Sequence, residues 1–138
     1  MSLFTDTMTI FNCIGENQWQ RTVVKGVQWT NQELSVQTDK NARVKKMVKN
    51  ITIDFGRSHG NTKYLEPREF EKLADKSGYW TLNAENGLDV VAFGEITKEL
   101  NMKYRPKHLR AEMECATITS VSDQRNRSFL KHIKVVAE

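Results

Sequence analysis

Apolar residues recur at spacing two in short runs along this chain, and nearly every run is bounded by turn-forming residues. In "DTMTIF" (6–11), Met8 and Ile10 fall on one face and Thr7, Thr9 and Phe11 on the other, the period of a strand with two unlike faces. "WQRTVVKGVQW" (19–29) is a second strand, in which Gly26 predicts a bulge or bend. The Gly and Asn of the intervening "NCIGENQ" suit a turn, so the two runs form an opening hairpin. "VKNITIDF" sets Ile51, Ile53 and Phe55 at spacing two, a third strand. "YWTL" (79–82) is brief and "LDVVAFGE" (88–95) stronger, with Asn86-Gly87 between them as a tight-turn dipeptide. "CATITSV" and "FLKHIKVV" bring the count to seven candidate strands. The polar "DQRNR" joins these last two, placing Arg125 and Arg127 in an exposed hairpin turn.

Helical signals are few. "EPREFEKLADKSG" (66–78) has Pro67 at the first helical position, acids in its first turn, Phe70, Leu73 and Ala74 on one face, and Gly78 as a stop. It predicts one helix of about three turns docked over a sheet face or barrel end. "EITKELNMKY" (95–104) has helical composition, which Pro106 would end. Residues 31–50 have no clear period and many polar side chains, and read as a flexible loop or an extended hairpin arm. Many short strands without strand–helix alternation favour a mainly β fold. The expected architecture is a small antiparallel β-barrel of about six to seven strands, with one short helix and a long basic loop. At 138 residues it forms a single domain, 1–138.

The net charge of +4 is segregated. Residues 38–50 carry Lys40, Arg43, Lys45, Lys46 and Lys49 against Asp39, a local +4. Residues 100–113 carry four basic side chains against Glu112, a local +3. Between them, residues 78–99 sum to −3, with Glu85, Asp89, Glu95 and Glu99 opposed by Lys98. Such segregation serves self-association, a basic face against an acidic one, as readily as binding to phosphate. The basic residues of 38–50 are thus candidate assembly residues, and the four acids a candidate partner face.

Chemistry is sparse. His59, His108 and His132 are far apart in sequence, and Cys13 and Cys115 make no metal-spaced pair with them or each other. No metal or other cofactor is expected. "DFG" (54–56) lacks every other kinase element, and the sequons at Asn50 and Asn126 read as ordinary polar residues. Asp89 with Glu95 could do acid–base work only in a shared pocket, and nothing in the sequence indicates one. No catalytic residues are assigned and an enzyme is not expected. The chain has no apolar run of membrane-spanning length, no signal-peptide order at its start and two cysteines in all. It is read as cytoplasmic, with no membrane partner.

A small barrel with basic segments and aromatics is also how single-strand binders are built, so a nucleic-acid-binding module is the alternative function. The specific signal would be stacking residues interleaved with basic ones. Only Tyr104 lies within either basic segment. Trp19, Trp29 and Trp80 sit in runs whose alternation buries them, and they read as packing residues.

Taken in order, "TDTMTIFN", "WQRTVVKGVQW", "LDVVAFGE" and "TITSVSDQRNRSFLKHIKVV" resemble the small proteins of the phage and prophage head-tail junction, of the head-closure (stopper) type or the related minor capsid and connector proteins. The departure is the basic tract 38–50. The resemblance implies a small β-barrel that assembles as a ring below the portal, extended loops lining or closing the DNA channel. It implies the portal or adaptor and tail proteins as partners, non-specific contact with channel DNA, and a place first in the host cytoplasm and then at the virion head-tail junction.

Overall fold

The computed structural model describes residues 4–37, 43–56, 59, 62–126 and 131–138. The alternating runs become strands β1 (Asp6–Gly15), β2 (Gln18–Gln37), β3 (Arg43–Asp54), β6 (Val90–Phe93), β7 (Cys115–Asp123) and β8 (His132–Ala137). They close into a barrel in the order β1-β2-β3-β8-β7-β6, every neighbouring pair antiparallel. Closure leaves no open edge in the barrel itself. The expected opening hairpin is present, turning at Asn17 with φ of 55°. Gly26 makes the expected bulge: Asp6 pairs with Val27 but Thr7 with Lys25, leaving Gly26, φ 82°, as the extra residue.

Both faces of β1 are buried, for different reasons. Met8 and Ile10 point into the barrel with Val24, Val27, Ile51, Ile53, Val91, Ile118, Ile133 and Val135. Phe11 packs outside it, with Val90, Ala92, Ile96, Leu100 and Leu109. The second cluster lies beneath residues 96–109 rather than within the sheet. That segment is where the helical reading shifts. Residues 95–104 are irregular, and Pro106 begins helix α2 (Pro106–Glu112) instead of ending one. A proline at the first helical position forfeits no bond, because that N–H has no intrahelical partner anyway. The Arg105 N–H donates to His108 Nδ1 at 3.0 Å, closing the start of the helix.

Helix α1 spans only Pro67–Glu71, so the structure has two short helices where one longer helix was expected. Of the expected apolar face only Phe70 is buried, with Leu73 partly covered and Ala74 exposed. A short helix survives through the side chains it buries, and one buried ring holds little more than one turn. "YWTL" also departs from expectation. β5 (Tyr79–Trp80) pairs in parallel with β4 (Lys63–Tyr64), in a separate two-stranded sheet. Asn86-Gly87 therefore is not a hairpin turn between two barrel strands.

The largest departure from a simple barrel is the length of β2. Its pairing with β1 ends at Val27, and that of β3 with β8 begins at Lys49. Beyond these points β2 and β3 pair only with each other, out to Gln37 opposite Arg43. Of loop and hairpin arm, the structure builds the arm: a two-stranded ribbon leaving one end of the barrel. Lys40 lies outside the described residues, as does Arg127.

Candidate functional site

The arm leaves the barrel where β1, β3 and β7 begin and β2, β6 and β8 end. At its root Trp29, 8 % exposed, meets Phe93 edge-on with centroids 5.5 Å apart. The arm lysines pair within their own chain: Lys45 with Glu33 at 3.3 Å, Lys46 with Glu138, and Lys49 with Glu114 at 3.6 Å. Lys45 and Lys46 remain in water, whereas the Lys49 side chain is only 17 % exposed. Exposed pairs of this kind contribute about 1 kcal/mol or less. Lys45 and Lys46 are therefore open to another charged surface, while Lys49 is part of the root. Met47 is also exposed, and Arg43 lies on the ribbon backbone opposite Gln37.

The four acids do not form one face. Asp89 is 1 % exposed and serves the interior, which removes it from any partner surface. Its carboxylate accepts from the Cys13 N–H at 2.9 Å, Asn12 Nδ2 at 2.8 Å, Asn86 Nδ2 at 3.1 Å and the Asn83 N–H at 3.3 Å. Burial pushes this carboxyl above the usual carboxylate range, and the four donors pull against that shift. Asn12 ties the knot further, giving a hydrogen bond to the Thr81 carbonyl and taking one from the Thr81 N–H. Glu99 pairs with Arg21 at 3.0 Å on the barrel side. Glu95 is exposed just past Gly94, whose N–H bonds the Thr7 carbonyl at the arm end. Glu85 is exposed at the far end.

That far end carries an aromatic group that sequence reading did not assemble. Phe55, Tyr64 and the fully buried Trp80 pack with centroids 5.2 to 6.1 Å apart. Arg125 belongs to this group and is not an exposed turn residue. Its guanidinium lies 4.8 Å from the Tyr64 ring centre and 5.6 Å from that of Phe55. It grips Asp123 through Nε at 3.0 Å and Nη2 at 2.8 Å, and approaches Glu66 at 3.8 Å. The Arg125 hydrogen bonds hold the Asp123 carboxyl below its ordinary range. Burial pushes the Tyr64 phenol up to about 12, against the pull of the Arg125 charge. The only forewarning was a basic residue two places after an acid at a strand end.

Beside this group lies a cleft of about 380 Å³, lined by Tyr64, Glu66, Arg68, Leu82, Ala84, Glu85, Val121 and Asp123 among others. It holds carboxylates and one guanidinium over an apolar floor, without a nucleophile paired to a base. Among the described residues no three His, Cys, Asp or Glu side chains are grouped to hold a metal ion. Nor is any helix long and apolar enough to cross a membrane. Cys13 and Cys115 are both free thiols. The feature that extends furthest beyond the barrel's strand pairing is the arm. No curated protein and no solved structure matches the chain. A family model does match, over residues 3–138, and the chain belongs to that family of unknown function (DUF6751).

Proposed function

We propose that this protein is a structural virion component of the phage head-tail junction, assembling as a ring below the portal and using its basic arm to reach a neighbouring subunit or the DNA channel. The observation that carries the reading is the arm. Its two strands pair with each other alone past Val27 and Lys49, and an isolated two-stranded ribbon is marginally stable in water. Such a ribbon gains most when a neighbour covers it. A closed barrel supplies the rigid base, and exposed Lys45 and Lys46 supply charge that is salt-sensitive and blind to base sequence. The sequence resemblance to the connector proteins points the same way.

The test uses Lys45→Glu with Lys46→Glu, leaving Lys49 in place because it is packed at the root. In a reconstituted or infected system the double variant should fold, with heads and tails both present but unjoined by electron microscopy. Normal joining would refute the reading. Submicromolar oligonucleotide binding by the isolated wild-type protein near physiological salt, lost in the double variant, would replace it with the nucleic-acid-binding module.

A further inference from the structure

The two edges of the arm are not alike. Beyond the barrel, β3 ("RVKKMV", 43–48) contains Arg43, Lys45 and Lys46, and clustered basic residues are a common means of keeping an edge from pairing. The outer edge of β2 beyond the barrel, "NQELSVQ" (31–37), has a single charge, Glu33, and no proline. Where this edge begins it is closed off once: the Trp29 N–H donates to Asp6 Oδ2 at 3.0 Å. Backbone groups alternate sides along a strand. The odd residues after Trp29, namely 31, 33, 35 and 37, therefore turn their N–H and C=O outward, and the even ones turn theirs toward β3. No strand of this chain pairs with those outward groups among the described residues.

We infer that this β2 edge is a strand-addition site for a second copy of the same chain, the two edges running antiparallel about a two-fold axis at Leu34. A two-fold on any residue of this edge joins outward-turned residues to outward-turned residues, as an antiparallel ladder requires. Centred on residue 34 it pairs the whole of 31–37, setting Asn31 opposite Gln37 and Glu33 opposite Ser35 of the other copy, whereas centred on residue 33 it would set Glu33 against itself. No like charges face each other directly. The result is a four-stranded sheet, β3-β2 against β2-β3 of the other copy, and four strands have an independent stability that two lack. The basic β3 strands lie outermost. Three strand spacings, about 14 Å, separate them, more than the screening length of about 8 Å at physiological ionic strength. This inference stands apart from the virion reading, since it concerns two copies in solution.

Residue 34 falls in a non-hydrogen-bonded pair with its own counterpart, where backbones approach to about 4.5 Å between Cα atoms, within disulfide reach. In a background with Cys13→Ser and Cys115→Ser, Leu34→Cys and Gln32→Cys are compared under mild oxidation with oxidised glutathione. The Leu34→Cys protein should yield covalent dimer at least about tenfold faster, because position 32 lies roughly 13 Å from its counterpart in this register. Equal rates, or no cross-linking of either, would overturn the inference. Ser35→Glu serves as a second probe. It places like charges opposite Glu33 twice in the dimer while gaining Lys45 as a neighbour within its own arm. Its dimer dissociation constant by sedimentation should rise about fivefold; an unchanged constant would exclude the register. None of these outcomes bears on the joining of heads to tails, so the two readings fail separately.

Discussion

β2 and β3 are each half barrel and half arm, and the halves obey different rules. In the barrel half, Val24, Val27, Ile51 and Ile53 are fully buried and both strands have partners on both sides. In the arm half the same strands keep one partner, and Lys45, Lys46 and Met47 stand in water. The barrel half gains stability from area removed from water, about 25 cal/mol per Å² of apolar surface. The arm half has a backbone ladder and weak ion pairs. One continuous strand therefore runs from a region that sets the global stability to one that opens locally at little cost.

The largest expected effect falls at the boundary. Trp29→Ala should cost about 3–5 kcal/mol, since a large aromatic is removed from the core and from Phe93; a melt within a degree or two of wild type would erase the distinction between root and arm. Next comes the knot at the far end. Asp89→Ala leaves four N–H donors without their acceptor and should cost at least about 2 kcal/mol by denaturant unfolding. If it were neutral, those donors would have to find other partners.

Arg125→Ala should cost about 1–2 kcal/mol, because the guanidinium covers two rings and holds a carboxylate. Without Arg125 the Asp123 carboxyl should also titrate higher by NMR. Its depressed value in the wild type adds stability above the unfolded carboxyl's range, stability that is lost as pH falls. The same group predicts alkaline behaviour. Tyr64, with its phenol raised from 10.0 to about 12, favours the fold below pH 10, and that contribution is lost as pH rises toward about 12. Substituting Phe for Tyr64 should flatten stability over that interval; an unchanged alkaline limb would mean another group is responsible.

The smallest effect belongs to the arm. Lys45→Ala with Lys46→Ala should change stability by no more than about 0.5 kcal/mol. At protein concentrations too low for copies to pair, hydrogen exchange at residues 31–36 and 44–48 should run far ahead of that at 51–53. Equal protection along the whole of β3 under those conditions would erase the difference between arm and barrel, whereas self-pairing through β2 would slow the outward N–H groups of residues 31, 33 and 35 as concentration rises.

The barrel was legible because period-2 runs and their turn residues are local. Met8 with Ile10, Ile51 with Ile53 and the Gly26 bulge need no knowledge of the rest of the chain. Pro67 was likewise readable at a helix start, but Pro106 was misplaced at a helix end, since proline suits the first turn and stops a helix with equal local logic. Burial of Ile96, Leu100 and Leu109 over Phe11 decided between them. The charges were countable, but their roles were not. Asp89 went inside because Asn12 on β1 meets Asn83 and Asn86 of the loop before β6 around it, and Arg125 was drawn over rings contributed by β4 and the end of β3. Alternation along a strand is set by neighbours in sequence, so the sequence by itself determined the segments that become the six barrel strands and that they make a β fold. Desolvation, pairing and edge exposure depend on what the closed barrel brings together, so only the tertiary structure decided which acids are buried, which cations are held, and that β2 and β3 outrun their partners to make an arm.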